Sequence, residues 1–354
     1  MKIALITDTH FGARADSLIF NNYFWRFFNE VFFPYLEQNN IKQIIHLGDI
    51  WDRRKYINFQ ILNFCRKNFF EKLNQEYQTI IIQGNHDVYF KEINDVSGLT
   101  EALIHYKNIE IIDRPIIREF DGTNILLIPW MNQSNEELCL ETIKTTNAEI
   151  MLGHFDIIGF EMYRGLINNE AGLTREMFNK FDMVLSGHYH HKSTQENISY
   201  LGTPYEIIWS DYNDPKGFHI FDTSTRELEF IQNPFKLFHK VRYDDENKSF
   251  EDLIAGGFSK YKDCYVKVII DKKTNQNLFD QFIEELYKDN PADVTIIDAV
   301  SYNDSENNKI DETKDTLTLL IEYVDSLNLL DEAKRKSLIE LLKNVYLESL
   351  SVEQ

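Results

Sequence analysis

Three polar side chains able to bind a metal or move a proton, Asn85, His86 and Asp87, follow Gly84, which Gln83 separates from the apolar run Ile80-Ile81-Ile82. Alone, this also reads as an ordinary Asn/Asp-rich turn closing a buried strand. Repetition separates the two readings. The same design, an apolar strand ending in metal-capable residues, recurs at residues 3–6 with Asp8 and His10, and at 44–47 with Asp49. It returns at 150–152 with His154 and at 183–185 with His188 and His190. Residues two apart on a strand share one side of the pleat, so Asp8 and His10 can reach one ion. The candidate ligand set is therefore Asp8, His10, Asp49, Asn85, His154, His188 and His190. Mixed imidazole and carboxylate suit Mn²⁺, Fe²⁺ or Zn²⁺ rather than Ca²⁺ or Mg²⁺, and the lack of Cys argues against a structural zinc. Such a set is too large for one ion. With one carboxylate bridging, it serves two ions about 3.5–4 Å apart, the spacing used for in-line displacement at phosphorus.

Charge counting points the same way. Two divalent ions outweigh the two carboxylates Asp8 and Asp49 by about two charges, which favours an anionic substrate such as a phosphate ester. The ions would lower the pKa of water to make a nucleophile and neutralise charge on the phosphoryl oxygens. His86, turned away from the ions beside Asn85, is left to protonate the leaving oxygen or stabilise the transition state. Asp87 is read as orienting His86 or the loop. His46, His105, His219 and His239 read as hydrogen-bonded structural residues, and His191 stays open.

Alternating strands and helices must hold these groups. The aromatic stretch 20–36 predicts a helix packed hard on a sheet, and 60–73 predicts a second. A short helix is expected after Ser97, with strand-like runs at 109–112 and 124–128. Further strands at 150–152, 183–185, 198–201, 217–221 and 227–231 complete an α/β fold with a two-sheet core flanked by helices. Near Asn233-Pro234 the metal-capable motifs stop. The division expected is a catalytic domain over 1–238, a small α+β cap over 239–300, a polar linker over 301–312 and amphipathic helices over 313–354. In the cap, 264–270 and 294–297 read as strands and 276–287 as a helix.

The 354 residues are 43% hydrophobic, enough for a sizeable core, and carry a formal charge of −20. That acidity favours solubility and argues against unaided binding to a phosphate backbone. Cys65, Cys139 and Cys264 lie far apart, which suggests neither a disulfide framework nor a thiolate zinc site. With no signal-peptide core and no membrane-length apolar stretch, a soluble cytoplasmic protein is expected.

In order, Asp8-Thr9-His10, Gly48-Asp49, Gly84-Asn85-His86-Asp87, Gly153-His154 and Gly187-His188-Tyr189-His190 resemble the motifs of the calcineurin-like metallophosphoesterases. Within that superfamily Thr7 to Gly12, Asp87, and Leu201-Gly202-Thr203-Pro204 with Lys216-Gly217-Phe218 resemble the SbcD-type DNA-repair nucleases. The short acidic form looks most like bacteriophage recombination nuclease subunits. The resemblance covers residues 1 to about 235 and implies a four-layer α/β/β/α sandwich. It also implies a homodimeric dimanganese exonuclease or endonuclease acting on DNA in recombination and repair, paired through its C-terminal helices with an SbcC-type, SMC-like ATPase. Motif order implies Asp8, His10 and His190 on one metal, Asn85, His154 and His188 on the other, and Asp49 bridging. One departure is Asp52, where some members carry a second histidine; a carboxylate there cannot act as an imidazolium. Arg53 or Arg54 can contact phosphate instead, or form an exposed charged turn. The alternatives are a phosphatase or small-molecule phosphodiesterase on the same scaffold, and a non-catalytic scaffold, which loss of ligands would mark.

Overall fold

The computed structural model describes residues 1–169 and 172–298, with isolated helical positions between 321 and 342. The expected linker and most of the expected C-terminal helical segment lie outside the described residues. The described residues form two compact units, Met1–Ile207 with Asn213–Pro234, and Ile208–Tyr212 with the chain from Phe235 to Asp298.

The first unit contains two six-stranded sheets. In one, Lys2–Ile6, Gln43–His46, Gln78–Ile82 and Ile109–Ile112 run parallel, and Gly217–Asp222 and Leu228–Gln232 add antiparallel on the far side of Lys2–Ile6. In the other, Thr123–Ile128, Ile150–His154, Met183–Gly187 and Ile198–Tyr200 run parallel between two antiparallel edge strands, Ile116–Phe120 and Ser193–Gln195. Near-continuous apolar runs suit these central strands because both faces are covered. Leu5, Ile45 and Ile82 of the first sheet share one core with Ile125, Leu127, Leu152 and Leu185 of the second. The alternate residues Leu126, Ile128 and Met151 face outward onto Cys139 and Ile143 of the helix Glu136–Thr145.

On the other outer face lies the aromatic helical stretch, longer than expected, running Leu18–Phe27, Phe28–Phe32 and Phe33–Gln38. Its middle section is a widened π turn, as is Arg66–Phe70 in the second long helical stretch. Phe28 and Phe69 from these two turns meet at 4.7 Å between ring centres. Phe27 and Phe32 pack edge-on against Phe218 of the sheet. The result is an α/β/β/α sandwich with the parallel strands ending at one rim.

The second unit has three parallel strands, Phe238–Asp244, Tyr265–Lys272 and Asp293–Asp298. Phe279, Phe282 and Leu286 of the helix Gln276–Lys288 cover Tyr243, Val266, Val268 and Ile270. Asn275 Oδ1 caps that helix by accepting from Leu278 N. The strand Phe238–Asp244 was not anticipated, because His239, Lys240 and Arg242 interrupt its apolar residues. No helix among the described residues is long and apolar enough to cross a membrane.

Candidate active site

The seven sequence-selected residues meet at the rim where the parallel strands end. Backbone geometry aims them. Asp8, His10, Asp49 and His188 all have positive φ, at 51°, 42°, 58° and 86°, a conformation that costs non-glycine residues about 1–3 kcal/mol each and gathers at functional sites. The turns after the first two strands lie side by side, with Asp8 N donating to Gly48 O, His10 N to Asp49 O and Phe11 N to Ile50 O. Gly48 sits at φ 104°, and a Cβ there would meet His154 Nδ1 at 2.6 Å. The glycine lets two strand ends approach.

Asp87 is the support beneath this turn. Its carboxylate accepts from the backbone N–H groups of Asp49, Ile50, Trp51 and Gly84 at 2.9–3.2 Å. Of the two roles left open for it, the contacts are those of a loop anchor. Burial and the neighbouring Asp49 push its pKa up to about 6 against those donors.

Two groups of ligand-type atoms result, one from Asp8, His10 and His190 and one from Asp49, His154 and His188, each within 4.8 Å. In the first, His10 Nε2 and His190 Nε2 face each other at 3.2 Å, and both Nδ1 atoms are buried without a hydrogen-bond partner among the described residues. In the second, one amide atom of Asn85 lies 2.9 Å from both His154 Nε2 and His188 Nδ1. Asp49 joins the groups: its Oδ2 is 3.3 Å from His154 Nε2 and 3.9 Å from His10 Nε2. Asp8 accepts Thr7 Oγ1–H at 2.6 Å and the N–H of His188.

Burial holds His10 and His188 down to about 3 and His190 well below its ordinary value. These imidazoles are neutral and carry lone pairs. His154 goes the other way, up to about 9, because Asp49 and Asp8 overcome its burial. Burial raises Asp8 to about 7, whereas His154 and His86 carry Asp49 well below the usual carboxylate range despite burial. Neutral imidazoles facing one another and two carboxylates, screened from bulk water, fit divalent transition-metal ions.

His86 stands beside the first group, 4.9 Å from the His10 ring. Its Nδ1 bonds the backbone carbonyl of Asp52 at 2.6 Å, and its N–H donates to Asp49 Oδ1. The buried Asp52 side chain sits 3.6 Å from His10 Nδ1. Burial raises its pKa to about 6. Arg53 and Arg54 part company. Arg53 is engaged by Asp16, the carbonyl of Gly12 and the Tyr56 ring. Arg54 turns inward, with Nη2 3.1 Å from the other amide atom of Asn85.

Some neighbours were not singled out from sequence. Trp130 lies 5.1 Å from the His188 ring and Tyr163 5.2 Å from that of His190. Trp130 follows the strand Thr123–Ile128 at the same rim as the ligand strands, and that was a usable signal. Lys216 Nζ holds the carbonyl of His190 and the carboxylate of Asp214, which also receives His191. In sequence Asn213-Asp214-Pro215 reads as turn chemistry and Lys216 stands only within the Lys216-Gly217-Phe218 resemblance, because contacts between distant segments leave no local pattern.

A sandwich of this kind, with two facing His/Asp groups at its strand ends, defines a metal-dependent phosphoesterase. The chain belongs to the calcineurin-like phosphoesterase family, which matches residues 1–192. It is 31% identical over 352 residues to exonuclease subunit 1 of Enterobacteria phage T4, covering 99% of each chain. It is 25% identical over 295 residues to the SbcD component of the nuclease SbcCD of Staphylococcus epidermidis, covering 70% of this chain and 77% of that one. Its identity to the same component from Staphylococcus saprophyticus is 28% over 260 residues, 65% of this chain and 67% of that one.

Proposed function

We propose that this phosphoesterase is a Mn²⁺-dependent nuclease that hydrolyses DNA phosphodiester bonds during end processing in recombination and repair. The observation that carries the reading is the shared position of Asp49 Oδ2 between the two His/Asp groups. Full-length similarity to a phage exonuclease component and partial similarity to two SbcD nucleases support DNA as the substrate. In this reading Asp8, His10 and His190 would hold one ion and Asn85, His154 and His188 the other, with Asp49 serving both. Bound there, the ions supply Lewis acidity toward the phosphoryl oxygens and acidify an attacking water.

The protein's own groups do the rest. Donating Nδ1–H to the Asp52 carbonyl leaves Nε2 of His86 as the nitrogen that takes up and releases a proton, and with both nitrogens protonated the imidazolium gives its Nε2 proton to the leaving oxygen. Lys216 and Asp214 steady the His190 turn. Trp130 packs beside His188 of one group and Tyr163 beside His190 of the other. Residues 239–300 are assigned as a DNA-contacting cap, on their place after the catalytic domain in the sequence.

A chain with a charge of −20 is poorly suited to grip DNA alone. The reading therefore includes an SMC-like ATPase partner of the SbcC type, docked by residues 313–354, a homodimeric assembly and a cytoplasmic setting. In the sequence of that segment Leu317, Leu320, Ile321, Val324 and Leu327 recur at helical spacing, and so do Leu338, Leu341, Leu342 and Val345, the pattern of amphipathic docking helices. Removing residues 310–354 should abolish co-purification with the ATPase and leave metal content intact.

The enzymatic test uses purified protein with Mn²⁺ on linear duplex DNA, single-stranded circles and a phosphomonoester, with His86→Ala as control. DNA cleavage lost in the variant supports the reading. Turnover of the monoester alone would make the protein a phosphatase.

A further inference from the structure

Asn85 offers one carbonyl oxygen, and two claimants flank its amide. On one side are His154 Nε2 and His188 Nδ1 at 2.9 Å and Asp49 Oδ2 at 3.3 Å. On the other is Arg54 Nη2 at 3.1 Å from the second amide atom. A guanidinium has donors and no acceptor, so only the oxygen of Asn85 can face Arg54 favourably. A cation held by the histidines likewise needs that oxygen, because an amide NH₂ cannot ligate it. Turning the oxygen inward sets NH₂ against the guanidinium, donor to donor.

Arg54 has little else to hold. Its Nη1 is buried without a hydrogen-bond partner among the described residues. The charged groups around it are Asp49, Asp87 and Glu92. Arg53, next in the chain, is by contrast anchored on Asp16 and Gly12.

The geometry points to Arg54 as a positioning residue that competes for the Asn85 carbonyl and so weakens the second metal group relative to the first. Filling of the two groups is then sequential, the group of Asp8, His10 and His190 first. An anionic phosphate that draws the guanidinium away releases Asn85 and promotes the second ion, since Arg pairs strongly with phosphate oxygens. This rests on the proposed assignment of Asn85, His154 and His188 to one ion.

The test is a Mn²⁺ titration of the full chain, following free Mn²⁺ by electron paramagnetic resonance. Wild type should show two affinities. Arg54→Met should tighten the weaker one by about tenfold, the scale of one charge-assisted hydrogen bond, and leave the tighter one unchanged. Arg54→Lys, which keeps the charge but loses the planar fork, should tighten it as well. That variant also serves if Arg54→Met fails to fold. Asn85→Asp provides two oxygens and can satisfy both claimants, so in that background Arg54→Met should have no further effect. A purely Coulombic influence of Arg54 would persist there, and that result overturns the proposal. So does a weaker affinity unchanged in both Arg54 variants while two ions still bind. Absence of a second ion from every protein would instead overturn the metal assignment itself.

Discussion

His86 Nδ1 lies 2.6 Å from the backbone carbonyl oxygen of Asp52. A carbonyl can only accept, so the bond places the proton on Nδ1 and leaves Nε2 as the working nitrogen. His86→Ala should lower DNA cleavage by about 100- to 10,000-fold, the range for a lost general acid, with metal content unchanged. Single-turnover kinetics with elemental analysis checks both halves. Loss of metal in that variant would make His86 a ligand.

Asp87 carries four backbone N–H groups of the turns around Gly48 and Gly84. Asp87→Ala leaves these buried donors unpaired, at about 1–3 kcal/mol for each that water cannot reach. Urea unfolding of metal-free protein should show a loss of at least about 3 kcal/mol. A variant as stable as wild type would remove Asp87 from this role.

The strand-end residues were legible because each follows an apolar run in the sequence, and the parallel strands bring their C-terminal ends to one rim. A two-sheet core flanked by helices was legible from the same alternation, while the four-layer α/β/β/α order came from the family resemblance. The role of Asp87 was only half legible, since a side chain bonded to distant backbone looks like any turn aspartate. Arg53 and Arg54 are neighbours in sequence and face different partners, a choice made by Asp16 and Asn85 in space. The helix Glu136–Thr145 was missed because only Cys139 and Ile143 are buried along it. The edge strand Ile116–Phe120 was missed because Arg118 and Glu119 dilute its apolar pattern.

His219 tests the packing of the first sheet. It is buried against Phe230, its Nδ1 has no hydrogen-bond partner among the described residues, and burial lowers its pKa to about 3. Below its ordinary value the unfolded chain takes up a proton that the folded chain refuses. Stability therefore falls as pH drops from about 6.5 toward 3, by up to about 1.4 kcal/mol per pH unit. His219→Leu should flatten the stability profile of metal-free protein between pH 6.5 and 5 by roughly 1 kcal/mol. An unchanged slope would mean that His219 protonates freely in the folded state.

Asp49 Oδ2 reaches both groups, at 3.3 Å from His154 Nε2 and 3.9 Å from His10 Nε2. The most direct measurement is the metal content of purified wild type and Asp49→Ala by elemental analysis, with folding checked by circular dichroism. Wild type should hold about two transition-metal ions per chain and the folded variant close to none, because a shared ligand serves both ions. A folded Asp49→Ala protein that keeps one full equivalent would contradict the shared two-metal centre.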